Sequence, residues 1–392
     1  MNYILFDDNS RNNLLPFTFT RPVSEIRIGI LKITEKWELW LKSKVSFFTQ
    51  DYLQGKYPIK FTNGKNNIWI NGKICPNDKL IKEIKALKIN QVLISNDTII
   101  AANTGLTAQF NPFHLNSKLE KTASKIEPLA LNFIWDIFYK NGAAFQLDFE
   151  KLTKGKKSQP FSKTNKHIGK GKIFIEKGAN VEASIFNTTN GNIYIGKDAS
   201  IMEGSLIRGP FALCEHAEVK MGAKIYGPTT IGPYSKVGGE INNSVIFGFS
   251  NKGHDGFLGN SVLGEWCNLG ADTNNSNLKN NYGNVKLWNY ERQKMIDTGL
   301  QFCGLFMGDH SKCGINTMFN TGTVTGVNAN VFGAGFPPNF ISSFSWGGAT
   351  GFEKYHFNKA IEVAERVMER RKVELTKEDK NILEYISKLK SA

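Results

Sequence analysis

The sequence predicts an N-terminal α/β domain, then a solenoid of six-residue repeats, and finally a pair of C-terminal helices. Three observations predict this order: mixed strand and helix patterns up to Phe149, a period of six from Ile195, and amphipathic helical patterns beyond Phe352. The chain has 392 residues, of which 41% are hydrophobic, so it is long and apolar enough for more than one core.

The first domain is expected to span residues 1–150. Residues 3–6 (YILF) indicate a buried strand, and the second half of LLPFTFTRPVSEIRIGILKITEKWELWL is typical of an amphipathic helix. VSFFT and NIWI then indicate strands, LIKEIKALK indicates a helix, and VLISNDTIIAA indicates a hairpin with Asn-Asp at its turn. Residues 151–172 are rich in lysine and nearly devoid of periodic apolar signal, which predicts a basic linker or an exposed crossing.

From Ile195 the chain follows consecutive hexads as far as Asn242, each opened by an aliphatic residue and most with a small residue at the fifth place. Positions two apart share a face of an extended chain, so these two residue types should point inward together. The residues predicted to be interior are Ile195, Ile201, Ile207, Leu213, Val219, Ile225, Ile231 and Val237.

The hexad register returns at Leu263 and again at Met307, which leaves two apparent insertions, residues 245–261 and 275–304. Both are expected to leave the scaffold and to carry functional groups, because binding and catalytic residues concentrate on loops. The solenoid domain is assigned to residues 173–345. Residues 346–392 are assigned to the C-terminal helices, the second of which begins after an N-cap at Thr376, and both helices are expected to cap the open end of the solenoid.

Composition limits the classes of function. A net charge of +14 favours anionic partners, but the chain lacks the combined basic and aromatic motif of a nucleic-acid-binding protein. The five cysteines are scattered without a CxxC pair, which favours a reducing compartment over a zinc ribbon or a disulfide framework. With no run of signal-peptide or membrane-spanning length, we expect a cytoplasmic protein that binds neither membrane nor nucleic acid.

The hexads resemble the repeat of left-handed parallel β-helix acyltransferases, in which three hexads form one triangular coil. The segments NKGHDGFLG and LGEWCNLGADTNNSNLKNNYGNVKL resemble the acetyltransferase half of the GlmU family, which also joins an N-terminal α/β domain to a C-terminal β-helix. LLPFTFTRPVSEIRIGILKITEKWE and SFSWGGATGF resemble a GlmU-like family of sugar nucleotidyltransferases, and this resemblance covers nearly the whole chain.

The resemblance implies a Rossmann-like nucleotidyltransferase domain, a left-handed β-helix and a homotrimer. It also implies two activities of nucleotide-sugar biosynthesis for the cell envelope. The β-helix would transfer an acetyl group from acetyl-CoA to an amino-sugar 1-phosphate, expected to be glucosamine 1-phosphate. The N-terminal domain would join a sugar 1-phosphate to a nucleotide from UTP or dTTP with Mg²⁺, as a UDP-N-acetylglucosamine pyrophosphorylase does.

The resemblance also marks candidate acetyltransferase residues. His254 lies where the family carries its catalytic histidine, and a base with a pKa near neutrality suits removal of a proton from an attacking amine. Asn277 lies where the family has an asparagine that contacts the amino sugar. Phe257 stands where the family has a tyrosine, so a hydroxyl that could hold the sugar phosphate is missing and the resemblance does not fix which sugar is the substrate.

Three lysines, Lys252, Lys279 and Lys286, are cationic candidates for the sugar phosphate or for the phosphates of CoA. The alternative interpretation is that His254 is a surface-loop histidine, that Asn277 belongs to a polar turn and that each lysine is a solvated surface charge.

Candidates in the first domain lie in the loop after the first strand. Arg11 and Arg21 could clamp nucleotide phosphates, and Asp7 or Asp8 could hold magnesium, although the glycines of the family's loop are absent. A capped loop with a surface ion pair explains the same residues. Asp97 lies about where nucleotidyltransferases place a metal ligand, but the hairpin turn alone accounts for it.

Two further classes of function stay open. One is a non-catalytic trimeric scaffold with a degenerate nucleotide-binding domain. The other is a β-helix enzyme of the carbonic anhydrase type, which would need zinc held by histidines such as His216, His254 and His310 from neighbouring subunits.

Overall fold

The structure is a computed structural model that describes residues 1–62, 64–106 and 119–389. The chain forms two compact units: the first consists of Met1–Ile26 and Leu31–Phe133, and the second of Arg27–Ile30 and Ile134–Ala392. Residues 107–118 of the predicted first domain and residues 390–392 of the predicted helical end lie outside the described residues.

The N-terminal part of the chain alternates strands and helices as predicted. Its strands are β1 (Asn2–Phe6), β2 (Arg27–Ile28), β3 (Leu31–Lys32), β4 (Val45–Phe48), β5 (Asn67–Asn71), β6 (Gln91–Ser95), β7 (Thr98–Asn103) and β8 (Glu120–Ala123). Its helices are α1 (Ile33–Leu41) and α2 (Asp78–Ala86), with short 3₁₀ helices at Asn9–Leu14, Phe17–Phe19, Val23–Glu25 and Asp51–Leu53.

One mixed sheet forms the centre of the first unit, in the order β4-β1-β5-β7-β6-β8. Strands β4, β1 and β5 are parallel, whereas β7 is antiparallel to both of its neighbours. Ile4, Phe6 and Trp69 are fully buried on it, because the apolar β1 and β5 pair at its centre. The hairpin β6–β7 turns at Asn96 and Asp97, both with positive φ, so the α/β prediction is confirmed.

The second unit continues with α3 (Asp136–Tyr139), α4 (Asn141–Thr153) and a long series of short strands. The strands before residue 260 are β9 (Lys166–Ile168), β10 (Ile173–Ile175), β11 (Asn180–Val181), β12 (Ile185–Asn187), β13 (Ile193–Ile195), β14 (Ser200–Ile201), β15 (Leu206–Arg208), β16 (Phe211–Leu213), β17 (Glu218–Val219), β18 (Lys224–Tyr226), β19 (Thr229–Ile231), β20 (Lys236–Val237), β21 (Glu240–Asn242), β22 (Val245–Gly248), β23 (Asn251–Lys252) and β24 (Phe257–Gly259).

The strands after residue 260 complete the series. They are β25 (Val262–Glu265), β26 (Asn268–Leu269), β27 (Asn274–Asn275), β28 (Lys286–Asn289), β29 (Lys294–Asp297), β30 (Leu305–Met307), β31 (Lys312–Cys313), β32 (Met318–Phe319), β33 (Thr323–Thr325), β34 (Asn330–Val331), β35 (Phe340–Ile341), β36 (Ser345–Gly348) and β37 (Gly351–Lys354).

These strands stack into three parallel sheets that form the sides of a solenoid. The first sheet runs β10-β13-β16-β19-β22-β25-β30-β33-β35, the second runs from β11 through β14, β17, β20, β23, β26, β31 and β34 to β36, and the third runs from β9 through β12, β15, β18 and β21 to β24. Ile193 pairs with Phe211 eighteen residues later, the length of three hexads. The predicted left-handed parallel β-helix is therefore confirmed.

The interior of the solenoid is the predicted aliphatic column. All eight predicted residues, from Ile195 to Val237, are at most 2% exposed, and they form one continuous cluster. The small residues two places before them are buried as well, as Ala199 and Ser205 illustrate, because they fit at the corners between sheets.

The prediction that residues 245–261 leave the scaffold is wrong. Strands β22, β23 and β24 form one more coil, with a strand in each of the three sheets. The second excursion is confirmed, since β28 and β29 form an antiparallel hairpin outside the three sheets. This excursion closes where it opened, because the Cys303 N–H donates to the Asn277 carbonyl at 2.8 Å.

The predicted linker differs in part from expectation, whereas the start of the last helix agrees with it. Within residues 151–172, β9 pairs with β12 and Phe161 packs edge-on against Phe186, so part of the predicted linker belongs to the solenoid. Helix α6 (Lys377–Ser387) begins at the predicted N-cap Thr376.

Helix α5 (Phe357–Glu369) does not simply cap the open end of the solenoid. Phe357 packs near Phe344 in the last coil, whereas Arg371 donates a hydrogen bond to Asn251 four coils earlier. Its 13 residues span about 20 Å, which matches about 19 Å for four strand spacings, so α5 runs back along the second sheet.

Candidate functional site

His254 lies at the corner where β23 of the second sheet gives way to β24 of the third. The corner is tight: a Cβ on Gly256, whose φ is +111°, would lie 2.2 Å from the carbonyl oxygen of Thr273. Glycine is therefore required at Gly256, and the main chain turns sharply enough to leave the His254 side chain exposed.

Lys252 does not face a ligand site, which corrects its assignment to a substrate phosphate. It aligns with Val237 of the preceding coil, in the inward column of the second sheet, and is 1% exposed. Its ammonium donates to the carbonyls of Gly238 at 3.3 Å, His254 at 2.5 Å and Asp255 at 3.0 Å. Burial lowers the pKa of Lys252 to about 8, although the charges of Asp255 and Asp272 oppose that shift.

A groove of about 870 Å³ lies along the outer side of the second sheet, and His254 is part of its wall. The end of α5 forms another wall, and the rings of Phe249 and Trp266 lie along it. Among the described residues that line it, five are cationic and none is acidic; the cationic ones are Lys220, Lys236, Lys312, Arg370 and Arg371. A groove of this composition suits an extended ligand that carries phosphates.

The groove's cations are held in place by neighbouring groups. Lys220 and Lys236 both contact Glu218, so part of their charge is offset. Lys312 donates to the carbonyl of His310 at 2.8 Å, and burial lowers its pKa to about 8.

Asn277 lies at the next corner of the solenoid, just after β27. Its amide donates to the Asn260 side chain at 2.7 Å. A Cβ on Gly259 would meet both the Asn277 amide nitrogen at 2.7 Å and the Phe257 ring at 2.5 Å, so these two side chains lie together over Gly259. His254 and Asn277 thus mark opposite ends of one side of the solenoid, with Phe257 between them.

Lys279 and Lys286 belong to a different place. Both line a second cavity, of about 560 Å³, together with Asn320 and Asn339. The Lys279 ammonium donates to the Asn284 carbonyl at 2.6 Å, whereas Lys286 is exposed on β28. Apart from the buried Lys252, the predicted acetyltransferase residues are therefore divided between the His254 groove, the Asn277 corner and this cavity.

In the first unit, Asp7 and Arg11 form a buried pair in the loop after β1. The Asp7 carboxylate accepts bonds from the Val23 N–H at 2.9 Å and the Thr49 hydroxyl at 2.5 Å, and the Arg11 Nε lies 3.4 Å from it. Burial raises the pKa of Asp7, against the opposing charge of Arg11. Arg11 also donates to the Thr18 carbonyl and the Tyr52 hydroxyl, so its guanidinium holds the loop together rather than facing a nucleotide.

Asp8 is paired with Lys73, a residue that sequence reasoning missed. The Lys73 ammonium lies 3.0 Å from the Asp8 carboxylate and 3.1 Å from the Ser10 hydroxyl. Burial alone would raise the pKa of Asp8, but Lys73 and the hydrogen bonds from Ser10 and Asn71 outweigh it and lower that pKa.

The position of Lys73 could have been predicted. It follows β5, the parallel neighbour of β1, and the carboxyl ends of adjacent parallel strands meet at one edge of a sheet, where ligands bind. Residues in the loops after β1 and β5, such as Asp8 and Lys73, are therefore expected to contact each other.

The carboxylates do not fit the magnesium site that the resemblance implied. Both oxygens of Asp7 accept bonds from protein donors next to Arg11, and both oxygens of Asp8 accept bonds from Ser10, Asn71 or Lys73. Arg21, the other predicted phosphate ligand, is buried.

The three histidines of the zinc alternative lie at two different corners of the described solenoid. His216 and His310 lie at the corner between the first and second sheets, in one column of stacked rings, with Tyr234, Phe249 and Trp266 between them. His254 lies at another corner. Across residues 1–62, 64–106 and 119–389, no group of three or more His, Cys, Asp or Glu side chains is placed to hold a metal ion. None of the described helices combines the length and apolar character needed to cross a bilayer.

Comparison with known proteins supports the resemblance that the sequence indicated. Residues 3–157 match the family model described as sugar nucleotidyl transferase. A bifunctional sugar-1-phosphate nucleotidylyltransferase/acetyltransferase of Sulfurisphaera tokodaii is 29% identical over 41% of this chain and 39% of its own length. The bifunctional protein GlmU of Methanocaldococcus jannaschii is 32% identical over 23% of this chain and 21% of its own.

The resemblance to GlmU-like proteins is thus confirmed, with matched segments that span well under half of both relatives. Among solved structures, the Arabidopsis UDP-N-acetylglucosamine acyltransferase aligns with this chain at 14% identity and a TM-score of 0.24. The aligned region covers 54% of this chain and 80% of the acyltransferase.

Proposed function

We propose that this GlmU-like chain, whose residues 3–157 match the sugar nucleotidyl transferases, is a bifunctional sugar-phosphate transferase. In this proposal the solenoid transfers an acetyl group from acetyl-CoA to the amine of an amino-sugar 1-phosphate. The observation that carries it is the position of His254, on the ridge between the cationic groove and the side of the solenoid that bears Asn277.

The two sides of this ridge suit the two substrates. The groove offers Arg370, Arg371 and three lysines to the phosphates of an acyl donor. The side with Asn277 offers a carboxamide, which can accept a bond from an amine and donate one to a sugar hydroxyl. Phe257 supplies an apolar ring there instead of a hydroxyl, so sugar recognition at this point rests on packing rather than on a hydrogen bond.

His254 would act as the general base. The amine nitrogen attacks the thioester carbonyl, a C–N bond forms and the C–S bond breaks. His254 takes the proton that the nitrogen must lose and returns it to the departing thiolate, so no charge accumulates on the products. A base placed in this way contributes about a hundred- to ten-thousand-fold to the rate.

The test is His254→Ala, assayed by release of CoA thiol from acetyl-CoA with glucosamine 1-phosphate as acceptor. We expect kcat to fall within that range while the melting temperature stays unchanged, because His254 is exposed and contributes little to the core. His167→Ala is the matched control, since His167 lies on β9, in the first strand of the third sheet. Equal turnover in the two variants would refute the assignment.

The proposal includes a homotrimer. His254 and Asn277 lie at different corners of one solenoid, so a neighbouring copy packed on the intervening side could enclose the acceptor between two chains. Light scattering should give three times the mass of the chain, and a monomeric mass at micromolar concentration would contradict this part.

For the first unit we propose binding of a nucleoside triphosphate at the ends of β1 and β5, with Lys73 as a phosphate ligand and the buried Arg21 as the second candidate. The support is the match of residues 3–157 and the meeting of Asp8, Ser10 and Lys73 at one sheet edge. Calorimetric titration with UTP and with dTTP, each with and without magnesium, tests it.

Lys73→Met and Arg21→Ala should each weaken nucleotide binding at least tenfold. Lys44→Met should not, because Lys44 is an exposed lysine of the same unit that is paired with Glu38. Unchanged binding in both Lys73→Met and Arg21→Ala would place the nucleotide elsewhere.

A further inference from the structure

Lys252 occupies a position that should be aliphatic. In the inward column of the second sheet it is aligned with Val237, which in turn is aligned with Val219. Its neighbours in that column are fully buried apolar residues, and Lys252 itself is 1% exposed. Burying a lysine ammonium in such an interior costs free energy of folding unless all of its N–H groups donate hydrogen bonds.

The ammonium is satisfied entirely by the main chain around the His254 corner. An ammonium has three N–H donors, and three carbonyl oxygens accept from it, those of Gly238, His254 and Asp255. Two of these carbonyls belong to the corner turn itself, and the third belongs to the coil directly before it.

These bonds fix the direction of the turn. With the carbonyls of His254 and Asp255 directed into the solenoid, the side chain of His254 is left on the outside, where it lines the groove. The neighbouring coils also contact this corner, since the Asp272 N–H donates to the Asp255 carbonyl at 3.1 Å, but its outer side is open at Gly253, where an added Cβ would meet no atom within 4 Å. The His254 carbonyl at this open part of the corner is held by the internal cation of Lys252.

We propose that Lys252 is a positioning residue, an internal cation that orients the His254 turn so that the imidazole faces the groove. This inference rests on the proposed acetyl transfer, and it assigns to Lys252 no contact with either substrate. It differs from a purely structural role because its effect on turnover must pass through His254.

The experiment is a double-mutant cycle with Lys252→Met and His254→Ala, measured as kcat and KM for acetyl-CoA and as melting temperature. Methionine fills the same apolar space but removes the charge and all three donors. Lys252→Gln, which keeps a donor, is the second variant. Val219→Ala, an interior truncation in the same column two coils away, is the control for general loss of stability.

We expect Lys252→Met to lower kcat about tenfold to a hundredfold with less than a twofold change in KM, and Lys252→Gln to lose less. In the His254→Ala background the same change should have no further effect on kcat, while its effect on melting temperature persists. Val219→Ala should lower the melting temperature and leave kcat as it is.

Two outcomes would overturn the inference: an unchanged kcat in Lys252→Met, or an equal loss of kcat in both backgrounds. Failure of the proposed function itself has a separate signature, since His254→Ala alone would then acetylate at the rate of the parent protein.

Discussion

Replacing Ile207 by alanine should destabilise the solenoid far more than replacing its sequence neighbour Leu206. The two residues are consecutive on β15, yet Ile207 is 1% exposed and Leu206 is 47% exposed. Ile207 lies between Phe186 of the coil before and Ile225 of the coil after. Truncation to alanine removes three carbon atoms from this column.

The expected cost has two parts. Loss of buried hydrocarbon costs about 2.4 kcal/mol at about 0.8 kcal/mol per methylene. The hydrogen-bonded ladders keep the coils about 4.8 Å apart, so Phe186 and Ile225 cannot close the gap, and the cavity raises the total to about 3–4 kcal/mol. Leu206→Ala should cost about 1 kcal/mol or less, because half of its side chain is already in water.

Guanidinium unfolding followed by circular dichroism, on both variants at one protein concentration, measures this difference as a shift in midpoint at equal slope. If the free energies of unfolding of the two variants differ by less than about 1 kcal/mol, the assignment of Ile207 to a rigid interior column is refuted.

Three further outcomes are expected. Gly256→Ala should lower the melting temperature by several degrees, whereas Gly253→Ala at the same corner should not, because only the first position is closed to a Cβ. The pKa of Asp8 is lower in the folded protein than its ordinary value of about 3.8, so its carboxylate stabilises the fold above that pH and loses this contribution as the pH falls through its folded-state pKa. Asp8→Asn should therefore make the free energy of unfolding less dependent on pH in the acid range. All five cysteines are buried, so a thiol reagent should label the native protein slowly and the denatured protein at once, and rapid labelling of a native thiol would contradict this.

The six-residue period of aliphatic residues predicted the solenoid correctly wherever each coil has eighteen residues. It failed at residues 245–261 for two physical reasons. The coils there are shorter, so inward residues follow at spacings of four and five, as from Val237 to Ile241 and on to Ile246. The next inward place holds Lys252, whose charge hides the repeat from any search for aliphatic residues.

The site was less predictable than the fold, because its contents depend on contacts distant in sequence. His254 was identified through resemblance, but the cations beside it come from several coils and from residues that follow α5. Lys73 differs from these cations, because it meets Asp8 through the pairing of two adjacent parallel strands, β1 and β5, and its position could have been predicted from that pairing. Arg11 was predicted to be a phosphate ligand because it is cationic. In the structure it is buried and donates to the Thr18 carbonyl, so it stabilises the loop instead.

The excursion between β27 and β30 also bears on how such proteins diverge. Its two ends are joined by the bond from Cys303 to the Asn277 carbonyl and by the bridge between Leu278 and Phe302. Because these ends already meet, the hairpin can change in length without altering the path of the coil that it leaves, while Trp288, which stacks on Phe340 of a later coil, limits which exchanges keep that packing. Variation in this segment can therefore reshape the surface next to Asn277 while Asn277, at the base of the excursion, keeps its place.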